Sequence, residues 1–249
     1  MRPWIALVLA LLPAMTMADE IRVLSGGAAK SFVAPLAAVY REAKVGVAYE
    51  PMGKLVQSLK AGKQAGERAD MVIVTQEVLD ALQKENVLEP GGGKALARVG
   101  IGVAVNERAP LPDIATVASF RKALLAAKSV VYIDPRVGTS GKHVAEVFGR
   151  LNIEREMAAK ATLGQGGYVV EPVGRGEIEL GIHQISEILP VKGVRLAGPL
   201  PAPLQKYTVY VAAPVPGTAK ARDVGRFIAY LSSPEARGTL AAAGYSAPE

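Results

Sequence analysis

Cysteine is absent from the 249-residue chain, so there is no disulfide framework, no thiolate nucleophile and no cysteine-bound zinc or iron–sulfur cluster. Histidine occurs only as His143 and His183, which argues against a multi-histidine metal centre. Aromatic residues make up 5%, and no basic run interrupts the sequence. The excess of 29 Lys and Arg over 23 Asp and Glu therefore does not read as a nucleic-acid surface. Lys54, Lys60, Lys63, Arg68, Lys142 and Lys206 are scattered as on an even solvated surface, and the modest positive field that results favours an anionic ligand.

Hydrolase and metalloenzyme signatures are missing as well. There is no H-E-x-x-H and no acidic calcium loop. Gly138-Thr139-Ser140-Gly141 puts its second glycine directly after the serine, one place too early for a nucleophile elbow. The same loop resembles a phosphate loop only superficially, because Arg136 stands where the Walker spacing needs its first glycine. Neither a metal nor any other cofactor is expected.

Long apolar runs are scarce. The eight residues Ile5 to Leu12 follow Arg2 and end at Pro13, and Thr16-Met17-Ala18 then offers small residues at a cleavage site. This pattern predicts a signal peptide over residues 1–18, cleaved after Ala18, and hence an exported, periplasmic chain starting at Asp19. The run is too short to span a bilayer and no later stretch of about 18 apolar residues appears, so no membrane anchor is expected after cleavage.

What is present is a regular alternation of strand and helix patterns. Ile21–Leu24, Val45–Tyr49 and Met71–Val74 read as strands, each followed by a helical pattern: Ala28–Arg41, Lys54–Ala61 with Gly62 as its stop, and Gln76–Gln83. The Gly91-Gly92-Gly93 break precedes an apolar run, Val99–Val105, expected to pass as one extended strand between two lobes. A second series follows: a helix over 117–127, the strand Val130–Ile133, a helix near 142–151, a short strand at 161–163, a helix near 167–174 and the strand Leu180–Ile182. Strands at 194–196 and 207–211 and two terminal helices complete the pattern, the last helix capped by Ser232-Ser233. The alternation predicts an α/β protein of two Rossmann-like lobes, residues 19–102 plus 210–249 and residues 103–209. Two strand-like crossings would form a hinge over an interlobe cleft, and a monomer is expected.

Ligands of open α/β sheets collect beyond the carboxyl ends of the strands, where helix N-termini present free N–H groups. Three loops have suitable residues. In the first, Gly27 and Ala28 allow close backbone approach and Lys30 adds charge. In the second, Gly53 and Lys54 repeat the arrangement. In the third, Gly138 precedes Thr139 and Ser140, which could act as N-cap donors. A lysine in a first helical turn opposes the helix dipole unless an anion is bound, and two such lysines at parallel loops strengthen that reading. Solvated lysines and plain caps are the competing explanation. His183, after its strand, and Tyr168, at the start of a helix, would face the same cleft, although both residue types also serve as packing and structural hydrogen-bonders. His143, inside a helix pattern, is not placed in the site, and Tyr207 and Tyr210 are assigned to hinge or core packing.

Several stretches are similar to periplasmic substrate-binding proteins of the molybdate-binding, ModA-like group, which have the type II binding-protein fold. They are Ile21–Ala28, Ala69–Val74, Ile133-Asp134-Pro135 with Gly138, Glu179–Ile182 and Phe227–Ala236. The resemblance runs nearly end to end over the chain after residue 18. It implies an ABC permease as partner and an oxyanion held by neutral serine hydroxyls and a tyrosine. Those positions are Ala28, Gly53 or Lys54, and Gln184 here, so the molybdate chemistry does not carry over. Lysines at two separate loops suit a longer anion with separated carboxylates.

Three functions compete on this basis. The first is a periplasmic solute-binding protein capturing a di- or tricarboxylate in the cleft for an ABC importer. The second follows from a minority of proteins resembling this group, the cofactor-free periplasmic aconitate isomerases. In that case His183 or a lysine would move the proton, and Lys30 and Lys54 would stabilise dienolate-like charge. The third is a molybdate or other oxyanion binder.

Overall fold

A computed structural model describes residues 20–61 and 69–248. The expected signal peptide, its cleavage point, the Gly62 helix stop, Lys63 and Arg68 lie outside them. In chain order the first half forms β1 (Ile21–Gly26), a 3-10 turn (Gly27–Ala29), α1 (Lys30–Val39), β2 (Val45–Glu50), α2 (Met52–Lys60), β3 (Met71–Thr75), α3 (Gln76–Lys84), β4 (Lys94–Val99) and β5 (Ile101–Asn106). Next come α4 (Val117–Ala126), β6 (Val130–Ile133), α5 (Thr139–Arg150), α6 (Glu154–Ala158), β7 (Ala161–Gly164), α7 (Glu171–Gly174) and β8 (Leu180–Gln184). The chain closes with α8 (Ile185–Ile188), β9 (Val194–Pro199), β10 (Thr208–Pro214), α9 (Ala221–Leu231) and α10 (Arg237–Ala242). Among the described residues no helix is long and apolar enough to cross a membrane.

The strands form two five-stranded sheets, ordered β2-β1-β3-β10-β4 and β7-β6-β8-β5-β9. The orders correspond position by position. In each order the second strand lies parallel to both its neighbours, and the fourth runs antiparallel to the third. Parallel strands need helical crossovers, which cover both faces and explain why strands such as Met71–Thr75 are buried throughout rather than alternating. Each sheet consequently has two cores. In the first lobe Phe32, Leu36 and Phe227 pack on one face, and Leu55, Leu79 and Leu82 on the other. In the second, Phe120, Leu124 and Phe148 oppose Val170, Val173 and Ile188. Burying each of these large side chains contributes about 1.5–3 kcal/mol before entropy is counted.

The run Val99–Val105 is not one strand. It divides at Gly100, with β4 in the first sheet and β5 in the second, because one strand cannot follow the planes of both lobes. A Cβ at Gly100 would crowd the Gln205 amide, at 3.1 Å, and the Tyr207 ring, at 3.3 Å. The second crossing is the stretch from Leu200 to Tyr207, since β10 lies wholly in the first sheet. The two crossings are tied together by one side chain: Ile101 N–H donates to Gln205 Oε1 and Gln205 Nε2 donates to Ile101 O, both at 2.9 Å.

Three further expectations are corrected by the fold. The helix near 167–174 shrinks to the single turn α7, because Gly166 and Gly167 hold positive φ (136° and 67°) and the preceding segment is a loop. Strand β8 runs on through Gln184, so His183 is inside it rather than after it. Ser232 does not cap the last helix. It ends α9, its hydroxyl donating back to the Ile228 and Ala229 carbonyls, both at 3.1 Å, and α10 starts later without a side-chain cap.

Candidate functional site

The carboxyl ends of β1, β2, β6 and β8 converge on an interlobe cleft of about 370 Å³, a volume suited to a small ligand. Register determines what meets there. Gly26 pairs with Glu50 at the ends of β1 and β2, and Ile133 pairs with Gly164 at the ends of β6 and β7, so neighbouring loops open together. The first loop contributes Gly27, Ala28 and Lys30, and the third contributes Gly138, Thr139 and Ser140. Tyr168 and His183 line the same space. Gly53 and Lys54 are not among the lining residues. Pro51 and Met52 represent that loop, and the Lys54 side chain, 68% exposed, sits 3.7 Å from Glu50 Oε1.

Helix α5 opens toward the cleft. Its N-cap is Gly138, with no side-chain cap, so Thr139 and Ser140 are the first helical residues rather than caps. The first helical N–H groups have no partner within the helix, and its dipole adds partial positive charge at that end. Gly141 permits this arrangement: a Cβ there would run into the Ile133 carbonyl oxygen, where the helix passes over the end of β6. Behind the loop, the Arg136 guanidinium holds the buried Asp134 carboxyl well below the usual carboxylate range.

Ser140, His183 and Glu187 form a buried chain at the cleft floor. Ser140 Oγ is 3.1 Å from His183 Nδ1, and His183 Nε2 is 2.9 Å from Glu187 Oε2 and 3.3 Å from the Gly167 carbonyl. His183 is 1% exposed and Glu187 8%. Burial alone would lower the imidazole pKa. The Glu187 charge and hydrogen bond, with the Gly167 carbonyl, outweigh it and raise the pKa above the ordinary histidine value. Helix α8 follows β8 directly and brings Glu187 back beside His183.

Among the polar lining residues, Tyr49, Glu50, Glu187 and Tyr210 are not assigned to the site from sequence, and Gln184 is placed there only through the family resemblance. Tyr210 does pack in the core, edge-on to Tyr245, but its hydroxyl also donates to Gln184 Oε1 at 3.0 Å. Gln184 Nε2 in turn donates to Thr208 Oγ1 at 3.1 Å, so one amide of the second lobe meets two residues of the first. Burial pushes the Tyr210 phenol well above its usual pKa. Glu50 accepts from Ser58 at 3.1 Å and faces Lys54, so its charge is answered outside the cleft. A glutamate four residues after a histidine was the one signal available for Glu187. His143, as expected, lies elsewhere, bonded to the Leu204 carbonyl.

This arrangement, two α/β lobes joined by two crossings over a polar cleft, defines a type II periplasmic binding protein fold. Solved structures share it. The periplasmic molybdate-binding protein of Azotobacter vinelandii superposes with a TM-score of 0.75 at 15% identity, covering 92% of this chain and 100% of that one. The sulfate-binding protein of Mycobacterium tuberculosis does so with 0.69 at 16% identity, covering 92% and 87%. At such identities the likeness is one of fold.

The sequence comparisons go further. The family model for bacterial extracellular solute-binding proteins matches residues 21–246, and the chain belongs to that family. An aconitate isomerase from a Pseudomonas species is 30% identical over 246 residues, covering 96% of this chain and 93% of that protein.

Proposed function

We propose that the cleft takes a small organic polycarboxylate and interconverts cis- and trans-aconitate by allylic proton transfer in the periplasm. The observation that carries this reading is the buried Ser140–His183–Glu187 chain at the cleft floor. A cleft used only for capture needs donors for its anion. A carboxylate paired with an imidazole, deep among those donors, is instead a place to hold a proton. The likeness to an aconitate isomerase over almost the whole chain supports the same conclusion.

The proposed step needs no cofactor. A proton leaves the methylene carbon next to one carboxylate, the electron pair moves through the double bond, and the proton is delivered to the former vinylic carbon. The His183–Glu187 pair carries the proton between the two carbons. Glu187, the less buried of the two, faces the substrate, and His183 holds its carboxylate in position. Lys30, the α5 N-terminus with Gly138, Thr139 and Ser140, and the backbone at Gly27 and Ala28 would bind the carboxylates and stabilise the dienolate-like charge. Lys54 serves through Glu50 rather than by contact. The lobes, whose boundaries follow the sheets more closely than the expected 102/103 and 209/210 divisions, would close over the substrate about the Gly100 and Leu200–Tyr207 crossings.

Proton NMR of trans-aconitate incubated with the protein tests this directly. Cis signals should appear at catalytic protein concentrations, and His183→Ala or Glu187→Gln should each slow conversion by about 10²–10⁴-fold. Conversion that survives both substitutions would overturn the mechanism.

The hinge favours a second reading, in which the chain is a carboxylate receptor that delivers to an ABC permease. Line broadening of aconitate without conversion would select it.

A further inference from the structure

Tyr49, the next-to-last residue of β2, lies opposite Ser25 of β1 and lines the cleft. Its hydroxyl is buried and has no hydrogen-bond partner among the described residues. Leaving a buried hydroxyl unpaired is costly, and native proteins pair the large majority of them. Glu50 turns its oxygens to Ser58 and Lys54, and the Ala28 carbonyl accepts from Tyr245 at 2.7 Å and from Ser31 at 3.4 Å.

The groups around Tyr49 define what would satisfy it. Lys30 Nζ lies 5.8 Å from the centre of its ring, on the same side of the cleft. Burial and the neighbouring Tyr168 phenol push the Tyr49 pKa up to about 12, so it is a protonated donor at any physiological pH. Two donors, a phenol and an ammonium, therefore stand together on one side of the cleft, and the phenol makes no hydrogen bond among the described residues.

We infer that Tyr49 is a ligand-recognition residue whose hydroxyl donates to an anionic oxygen of the ligand at the Lys30 end of the cleft. The carboxylate identity of that oxygen rests on the proposed function; the donor role does not. The Tyr49 hydroxyl thus makes its hydrogen bond only in the occupied protein. Removing it should leave the empty protein no less stable while weakening the complex, a combination that a structural tyrosine does not show.

The test compares wild-type protein with Tyr49→Phe by isothermal titration with tricarballylate, a saturated tricarboxylate that cannot be isomerised, and by thermal unfolding of the empty proteins. The expected result is binding weakened about tenfold or more, as for loss of a hydrogen bond to a charged group, with an unchanged or higher Tm. Affinity within twofold of wild type would overturn the inference. So would a large fall in Tm or failure to fold, because the hydroxyl would then have a structural partner. If the wild-type protein ignores tricarballylate, the carboxylate reading falls, and the same two proteins are titrated with sulfate and molybdate. Equal affinities there, or no binding of any of the three anions, would overturn the role of Tyr49 as well.

Discussion

His183 Nε2 lies 2.9 Å from a carboxylate oxygen of Glu187, four residues later in the chain, with both side chains buried beneath the interlobe cleft. The pairing depends on a turn. Strand β8 ends at Gln184 and α8 begins at once, so the chain folds back over its own last strand residues.

That pair makes stability depend on pH with a definite sign. Folding raises the His183 pKa above its ordinary value, so the protonated imidazole favours the folded state. The contribution is complete below about pH 6.5, where the unfolded histidine is protonated too, and is lost as pH rises through the higher folded value. The Tm is therefore expected to decline from about pH 6.5 upward, followed by circular dichroism between about pH 5.5 and 9. Glu187→Gln should flatten this decline; an identical profile in the variant would place its source elsewhere.

The clamp between the crossings has a measurable cost of removal. Gln205→Leu deletes both bonds to Ile101 and leaves its N–H unpaired, a loss of about 1–3 kcal/mol. For a chain of this size, calorimetry should show a Tm lower by roughly 2–12 °C. Gln205→Glu keeps the acceptor for the Ile101 N–H but not the donor, and should fall between leucine and wild type.

The two lysines that look equivalent in sequence should differ in effect. Lys30 lines the cleft, whereas Lys54 projects from the first turn of α2 toward Glu50 with most of its side chain in solvent. Titration with tricarballylate is expected to show Lys30→Ala weakening binding about tenfold, as for a lost charge-assisted bond, and Lys54→Ala changing it by less than about threefold. Equal losses would mean that Lys54 reaches the ligand directly.

Much of the fold was legible in residue order because each lobe buries its helices and strands through local patterns. Met71–Val74 reads as a strand and is buried on every residue, and the periodicity of Ala221–Leu231 marks the face that carries Val224, Phe227 and Leu231 into the core. The family likeness lay in the same segments. The loops after β1 and β6 were legible as ligand loops because glycines there permit close backbone approach, and Gly27, Gly138 and Ser140 all reach the cleft.

The sequence by itself determined the α/β alternation, the two-lobed class, the lack of thiol chemistry and the three loops that meet at the cleft, though not which residues of the second loop reach it. These depend on residue type and on spacing within a dozen positions, which set local conformation and which face is buried. The tertiary structure alone decided that the apolar run breaks at Gly100, that Lys30 faces the cleft while Lys54 answers Glu50, and that Tyr49, Glu187 and Tyr210 join the site. It also closed the distance between Ser140 and His183, 43 residues apart, across β6 and β8. Such contacts depend on sheet register and on how two lobes meet, and no pattern of neighbouring residues encodes either.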